Sequence, residues 1–315
     1  MAITASTELP AEDHGLIHAG PLNDDGPHWV HLERGHDNLK NWLQDQAGVP
    51  ALYVPVMVED AARPRADLVD DHALIVLRGA NTNDGDAPHD LIGLRLWVTE
   101  GSLVTVRLRP VRTINAIRQD LEIGKGPANA ADFLTRTVTG LTERLRELVD
   151  ELEVKIDGLE EHAESGGPSN LREQVVSTRH VIAGLRRYMA PQRDALFALA
   201  KLKVDWLEDS HRDHIREQAQ NTVRIVEVLE ELKERTGVIH DDLMADVNER
   251  MNRTMYMLAL VSILLLPPSL LTGLFGINVG GMPMVESGFG FWIVLAMVPG
   301  LILIFLALLK KLRWL

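Results

Sequence analysis

Two histidines three residues apart, His211 and His214, and the run His240-Asp241-Asp242 have the spacing that could hold a divalent metal. Neutral imidazole and carboxylate suit zinc and related ions, and an i, i+3 pair lies on one face of a helix. A solvated helix face carries the same residues, so both readings stay open. The chain has no cysteine, which excludes a thiolate zinc site, a thiol nucleophile and a disulfide framework. No nucleophile–base pair, Gly-rich phosphate loop or cofactor motif occurs, so an enzyme is the weakest reading. Acidic residues outnumber Lys and Arg by 45 to 32, a formal charge of −13. That balance argues against nucleic acid and for cationic partners.

The elements that would position these residues are set by where the apolar residues fall. Between Arg253 and Lys310 the only charged residue is Glu286. Two apolar runs, Met255 to Phe275 and Phe289 to Leu309, each reach the ~20 residues that cross a bilayer. Arg250 and Arg253 precede the first run, and Lys310, Lys311 and Arg313 follow the second, while the loop between them has no basic residue. The positive flanks place both termini in the cytoplasm and residues 276–288 in a short extracytoplasmic loop, with 310–315 a basic cytoplasmic tail. Residues 1–27 are polar and acidic, without the apolar core of a signal peptide, and read as a loose cytoplasmic tail.

Ahead of the first span, Ile215, Thr222, Leu229, Thr236 and Leu243 recur every seven residues, with Ile225, Leu232 and Ile239 between them. This is a packing seam on a helix, and one helix is expected from about Ser210 to Phe275, roughly 100 Å long at 1.5 Å per residue. The seam fits an intramolecular hairpin. It also runs directly into the first span, which favours association between subunits. Residues 131–209 read as a helical hairpin, its two helices separated by Ser165-Gly166-Gly167-Pro168-Ser169, with Pro191 expected to kink or interrupt the second. Residues 28–130 read as a small α/β domain with β-rich runs at Ala73 to Leu77, Leu91 to Val98 and Leu103 to Arg107. The whole is an α+β membrane protein: an α/β domain and hairpin, a stalk over 210–254, then spans over 255–275 and 289–309.

The first span closes with Gly273-Leu274-Phe275-Gly276-Ile277-Asn278. This Gly-Ile-Asn triplet resembles the Gly-Met-Asn signature of the CorA superfamily of divalent-cation transporters, and Ile at its centre is similar to the ZntB-type zinc branch. The tail Lys310-Lys311-Leu312-Arg313-Trp314-Leu315, the stretch Arg253-Thr254-Met255-Tyr256 and Pro267 fit the same superfamily. Trp29-Val30-His31-Leu32 and Leu94-Arg95-Leu96-Trp97 extend the likeness more loosely into the N-terminal domain. The resemblance implies a funnel-shaped homopentamer in the bacterial cytoplasmic membrane, with five first spans lining a pore and five second spans facing lipid. It implies no catalytic cofactor. The cargo is Zn²⁺ or another divalent cation, and His211, His214, His240, Asp241 and Asp242 are candidates for a regulatory metal in the cytoplasmic domain.

On that basis Asn278, with Gly276 and Ile277 around it, would form a ring at the pore mouth. Its amide oxygen can hydrogen-bond the water shell of an ion without stripping it. Glu286 could draw cations to the mouth. The residues matching the family's pore stripe are Asn252, Met255, Leu258, Ser262, Leu266, Ser269, Thr272 and Gly273. Small residues also serve ordinary helix packing. Tyr256 is the only ionisable side chain between Arg253 and Glu286, so any proton coupling must use Glu286, cytoplasmic acids or water. The competing functions are a magnesium channel and, from a different class, a membrane-anchored coiled-coil sensor. If the charge rule sets the topology, a cysteine introduced at Val285 will react with an impermeant thiol reagent only from the extracytoplasmic side. Labelling from the cytoplasmic side alone would reverse it.

Overall fold

The computed structural model describes residues 15–23, 26–59, 62–81, 83, 85–165, 170–277 and 287–311. It divides into two compact units, Met1–His240 and Asp241–Leu315. The first holds a six-stranded sheet in the order β1-β2-β6-β5-β4-β3. Its strands are β1 (Leu16–Pro21), β2 (His28–Glu33), β3 (Arg65–Val69), β4 (His72–Gly79), β5 (Ile92–Val98) and β6 (Ser102–Arg107). Neighbours are antiparallel except β2 and β6, which run parallel. Two short helices, α1 (Leu39–Asp45) and α2 (Val54–Val58), follow β2, and α3 (Arg112–Glu122), α4 (Ala130–Glu164) and α5 (Leu171–Leu199) follow the sheet.

Alternate residues of each strand enter two different cores, as a period of two requires. Trp29, Ile75, Leu94, Leu96 and Leu103 pack with Ile114, Phe133 and Leu196 of α3, α4 and α5. Val30, Leu32, Leu74, Trp97 and Val106 pack on the other side with Trp42, Leu43 and Met57 of α1 and α2. The sheet is therefore covered on both faces, and β4, β5 and β6 are buried almost throughout. Close approach matters at one corner, where a β-carbon on Gly79 would stand 2.6 Å from Leu141 of α4. The strand β1 lies inside the segment whose composition reads as a loose tail. Its intermediate burial explains the weak signal.

The helix α4 is started by Asn129, whose side chain accepts from the Asp132 N–H at 2.8 Å, while Asp132 accepts in return from the Ala128 N–H at 2.9 Å. Of the kink or interruption expected at Pro191, the interruption does not occur: α5 is one helix through that residue. The next residue uses that stretch: Gln192 accepts from the Arg78 N–H at 2.6 Å and donates to the Arg78 carbonyl at 2.9 Å. Its amide thereby pairs β4 beyond Arg65, the residue that opens β3 and pairs with Val76.

The long helix α6 (Asp209–Phe275) is continuous, and α7 (Gly290–Lys311) follows it. Ile215, Thr222, Ile225, Leu229, Leu232, Thr236 and Ile239 are all buried within this single chain. The seam that favoured association between subunits is thus an intramolecular one over these residues. Its flanks are tied to the hairpin by Arg235, which reaches Glu160 at 2.9 Å and Asp157 at 2.5 Å on α4, and by Arg186 of α5, which pairs with Glu230. A heptad period reports that a helix packs against helices and does not say whose.

Beneath α3, His31 is 1% exposed, and its ordinary affinity for a proton is lost, the pKa falling to about 3 chiefly through burial and then through Arg107, His18 and Arg118. The unfolded chain protonates near 6.5, so the folded state is penalised as pH falls below that value and the penalty is complete near 3. The first unit should lose roughly 1.4 kcal/mol of stability per pH unit from this group across that window. A His31→Phe variant should show a shallower acid dependence of its unfolding midpoint than the parent. Equal slopes would show that His31 does not carry the effect.

Candidate functional site

Among the described residues, α6 and α7 are the two helices long and apolar enough to cross a membrane. Asn252, Ser262, Ser269, Thr272 and Gly273 are exposed, as are Met255, Leu258 and Leu266 at 56%, 63% and 73%. Their spacing by threes and fours keeps them on one side of the helix. Among the described residues the stripe is therefore an unpartnered surface. Two of its hydroxyls turn inward to their own helix: Ser262 donates to the Leu258 carbonyl at 2.8 Å, and Thr272 reaches the carbonyls of Pro268 and Ser269 at 3.1 Å each. A hydroxyl that donates in this way keeps its oxygen lone pairs as acceptors. Such a surface presents acceptors and no charge, the set that the water shell of a cation requires.

Consecutive prolines, Pro267 and Pro268, lie inside the same helix. They cannot donate to the carbonyls of Ile263 and Leu264, yet the helix does not stop. It ends at Gly276, whose N–H reaches the Gly273 carbonyl at 3.2 Å, and the Ile277 N–H reaches Leu274 at 3.5 Å. A β-carbon on Gly276 would stand 3.2 Å from the Thr272 carbonyl oxygen. Gly276 thus relieves crowding in a tight last turn and does not serve a left-handed backbone. Ile277 is 50% exposed, so an anchoring role beneath the turn would need a partner beyond the described residues. Asn278 and Glu286 lie outside the described residues.

The candidate metal ligands are spread along α6. His214 meets Thr139 of α4 at 3.0 Å and lines a cavity of about 390 Å³ with Thr113, Asp120, Glu143 and Arg144. His211 faces Ser210 and Glu208 at 3.4 and 4.0 Å. His240 is half-buried, whereas Asp241 and Asp242 are exposed. Among the described residues no group of three His, Asp or Glu side chains could hold a metal ion. A second cavity of about 750 Å³, between α1 and α2, is lined by Arg34, His36, Lys40, Gln44 and Glu59.

Sequence reasoning did not find the polar cluster beneath α3. His31 meets Thr105 at 2.7 Å, Trp29 donates to Thr105 at 2.8 Å, and Arg107 donates to Asn115 at 3.2 Å. The available signal was polar residues at alternate positions of otherwise apolar strands, legible only once β2 and β6 are known to be neighbours.

The family model described as CorA-like Mg²⁺ transporter protein matches residues 24–311. The divalent cation transporter CmaX of Pseudomonas aeruginosa is 36% identical over 289 residues, covering 91% of this chain and 87% of that protein. The zinc transport protein ZntB of Yersinia enterocolitica is 34% identical over 290 residues, 92% of this chain and 88% of its own. The structure of full-length CmaX superposes with a TM-score of 0.76, covering 91% of this chain and 89% of that one.

The tight turn at Gly276 yields a direct test. Gly276→Val should loosen the end of α6 and speed amide exchange at Gly276 and Ile277 roughly tenfold, the equivalent of about 1.4 kcal/mol of local opening. Unchanged exchange would show that the turn has room for a side chain.

Proposed function

The chain belongs to the CorA-like Mg²⁺ transporter protein family, and we propose that it transports divalent metal cations, zinc foremost, across the bacterial cytoplasmic membrane through the axis of a homopentamer. The observation that carries the transport reading is whole-length similarity to a divalent cation transporter, 36% identity over 91% of the chain, joined to two helices able to cross a membrane. Zinc is favoured by the 34% identity to a zinc transport protein and by Ile277 in the Gly-Ile-Asn triplet. Hydrated Mg²⁺ and Zn²⁺ are both octahedral dications. A ring that touches only water discriminates weakly between them, so magnesium is the competing cargo.

In this reading α6 lines the pore and α7 faces lipid. Asn278 rings the mouth, its amide oxygens accepting from the water shell of the ion. The oxygens of Ser262 and Thr272 offer further acceptors, while Met255, Leu258 and Leu266 form apolar constrictions that close by dewetting. The unpartnered, apolar surface of residues 251–275, with Met251, Val261 and Leu270 at 50% exposure or more, is what lipid and neighbouring copies would cover. A formal charge of −13 per chain raises the cation concentration near the assembly and makes uptake weaken with ionic strength. The coiled-coil sensor loses ground because the heptad seam is consumed within the chain.

The test is flux by the purified protein in liposomes, with zinc, magnesium and a pH gradient varied separately. Asn278→Ala should cut zinc flux by about tenfold or more, the scale of one lost interaction of ~1.4 kcal/mol at the barrier, with the oligomer intact. Normal flux through a correctly assembled variant would remove the ring from the mechanism. No flux of any dication in the parent would remove transport itself.

A further inference from the structure

We propose that α4 of one copy docks along α5 of the next, an acidic stripe on the first meeting an arginine stripe on the second. The inference rests on the homo-oligomer of the transport reading and gives it a contact within the first unit. On α4, Glu143, Asp150, Asp157 and Glu164 recur every seven residues, with Glu147, Val154 and Glu161 at the intermediate positions. All seven are exposed, on the side of the helix away from the buried Leu145, Leu148, Leu152 and Leu159. Like charges three and four residues apart destabilise a helix, and little in the chain offsets them. Arg235 reaches Asp157 at 2.5 Å and Arg146 stands 3.9 Å from Asp150. Glu143, Glu147, Glu161 and Glu164 have no ion pair among the described residues.

Helix α5 carries the complement. Arg172, Arg179, Arg186 and Arg193 also recur every seven residues, and the positions between them are small or apolar: Val176, Ala183 and Ala190. Arg172 and Ala183 are exposed and the rest of this stripe is half-buried. Arg186 pairs with Glu230 of α6, and Arg193 with the adjacent Asp194. Arg172 and Arg179 have no ion pair among the described residues. Each stripe runs about 32 Å at 1.5 Å per residue. Val154, 71% exposed, marks the midpoint of one and Ala183 the midpoint of the other.

The hairpin already sets the two stripes at one level. The first turns of α4 and the last of α5 share a core, Phe133, Leu134 and Val138 with Leu196 and Leu199, and α4 ends at Glu164 where α5 begins at Leu171. The helices are therefore antiparallel. Counted back from the connection, Glu164 is level with Arg172, Asp157 with Arg179, Asp150 with Arg186 and Glu143 with Arg193. Within one chain the acidic stripe faces away from α5, so the two do not meet. A rotation about an axis that runs along the helices brings α5 of a neighbouring copy to that face and leaves its level unchanged. The contact is heterologous, the kind that closes rings. It sets carboxylate against guanidinium along its length and Val154 against Ala183 at its centre, where small side chains let the helices approach. Like stripes repel, which disfavours α4 on α4 and α5 on α5 and fixes the order of the ring.

The experiment uses the full chain in detergent. There is no native cysteine, so Val154→Cys chains with one affinity tag and Ala183→Cys chains with another are co-expressed, purified through both tags and treated with a short bis-maleimide. A cross-linked dimer carrying both tags is expected, and neither variant alone should give a dimer. Arg172→Glu in the Ala183→Cys chain should slow its formation about fivefold, the scale of one exposed ion pair. Glu164→Arg in the Val154→Cys chain should restore the rate, a rescue that a misfolded variant would not show. An intact oligomer without the mixed-tag dimer overturns the proposal. So does a Val154→Cys dimer formed as readily without its partner, a rate indifferent to Arg172→Glu, or a loss that Glu164→Arg leaves unrepaired. Native mass is measured alongside: a monomer removes the homopentamer and this contact with it, whereas an intact oligomer that fails to cross-link removes this contact alone.

Discussion

A backbone that crosses hydrocarbon must satisfy its own hydrogen bonds, and the helix is the open-ended form that does so. Much else in this chain follows from that constraint. Helix α6 runs unbroken from Asp209 to Phe275, through a change of surroundings that its side chains register. Its first half buries Ile215, Leu229 and Leu232 against the protein. Its second half leaves Met257, Leu265 and Leu270 outward. One secondary structure serves both because the outward face changes while the backbone bonding does not.

The legible part of the sequence was the part governed by composition and long periods. Two apolar runs bounded by arginine and lysine marked the end of α6 at Phe275 and both ends of α7 within two residues. The seven-residue repeat marked the helix ahead of them, but its partner could not be read, because α4 and α5 offer the same kind of apolar groove that a second subunit would. The strands β4, β5 and β6 were legible as β-branched and leucine-rich runs. The strands β1, β2 and β3 were not: they are edge or near-edge strands whose histidines, Asp67 and Gly20 dilute the alternation. Pro191 lies inside α5 without interrupting it, although it removes one rung of the ladder there.

The candidate site was legible in a different way. Gly276, Ile277 and the stripe from Asn252 to Gly273 came from a resemblance, and the structure adds the physical reason for one of them. The last turn is tight enough that a β-carbon would crowd the Thr272 carbonyl at 3.2 Å. Hydroxyls that look free in a sequence are already engaged with carbonyls four residues back. That engagement narrows their chemistry to accepting, which suits a hydrated cation better than a dehydrated anion. The cluster around His31 was illegible because strands distant in sequence assemble it.

Two successive prolines in α6 have a mechanical meaning. A helix resists bending through the stiffness of its hydrogen-bond ladder, and at Pro267 and Pro268 two adjacent rungs are missing on the side of Ile263 and Leu264. The elastic modulus of the rod drops locally, within its apolar stretch and away from the ion pairs of Arg235. Strain entering α6 from either end would concentrate there as curvature, so that the rod behaves as two stiff levers joined by a compliant joint.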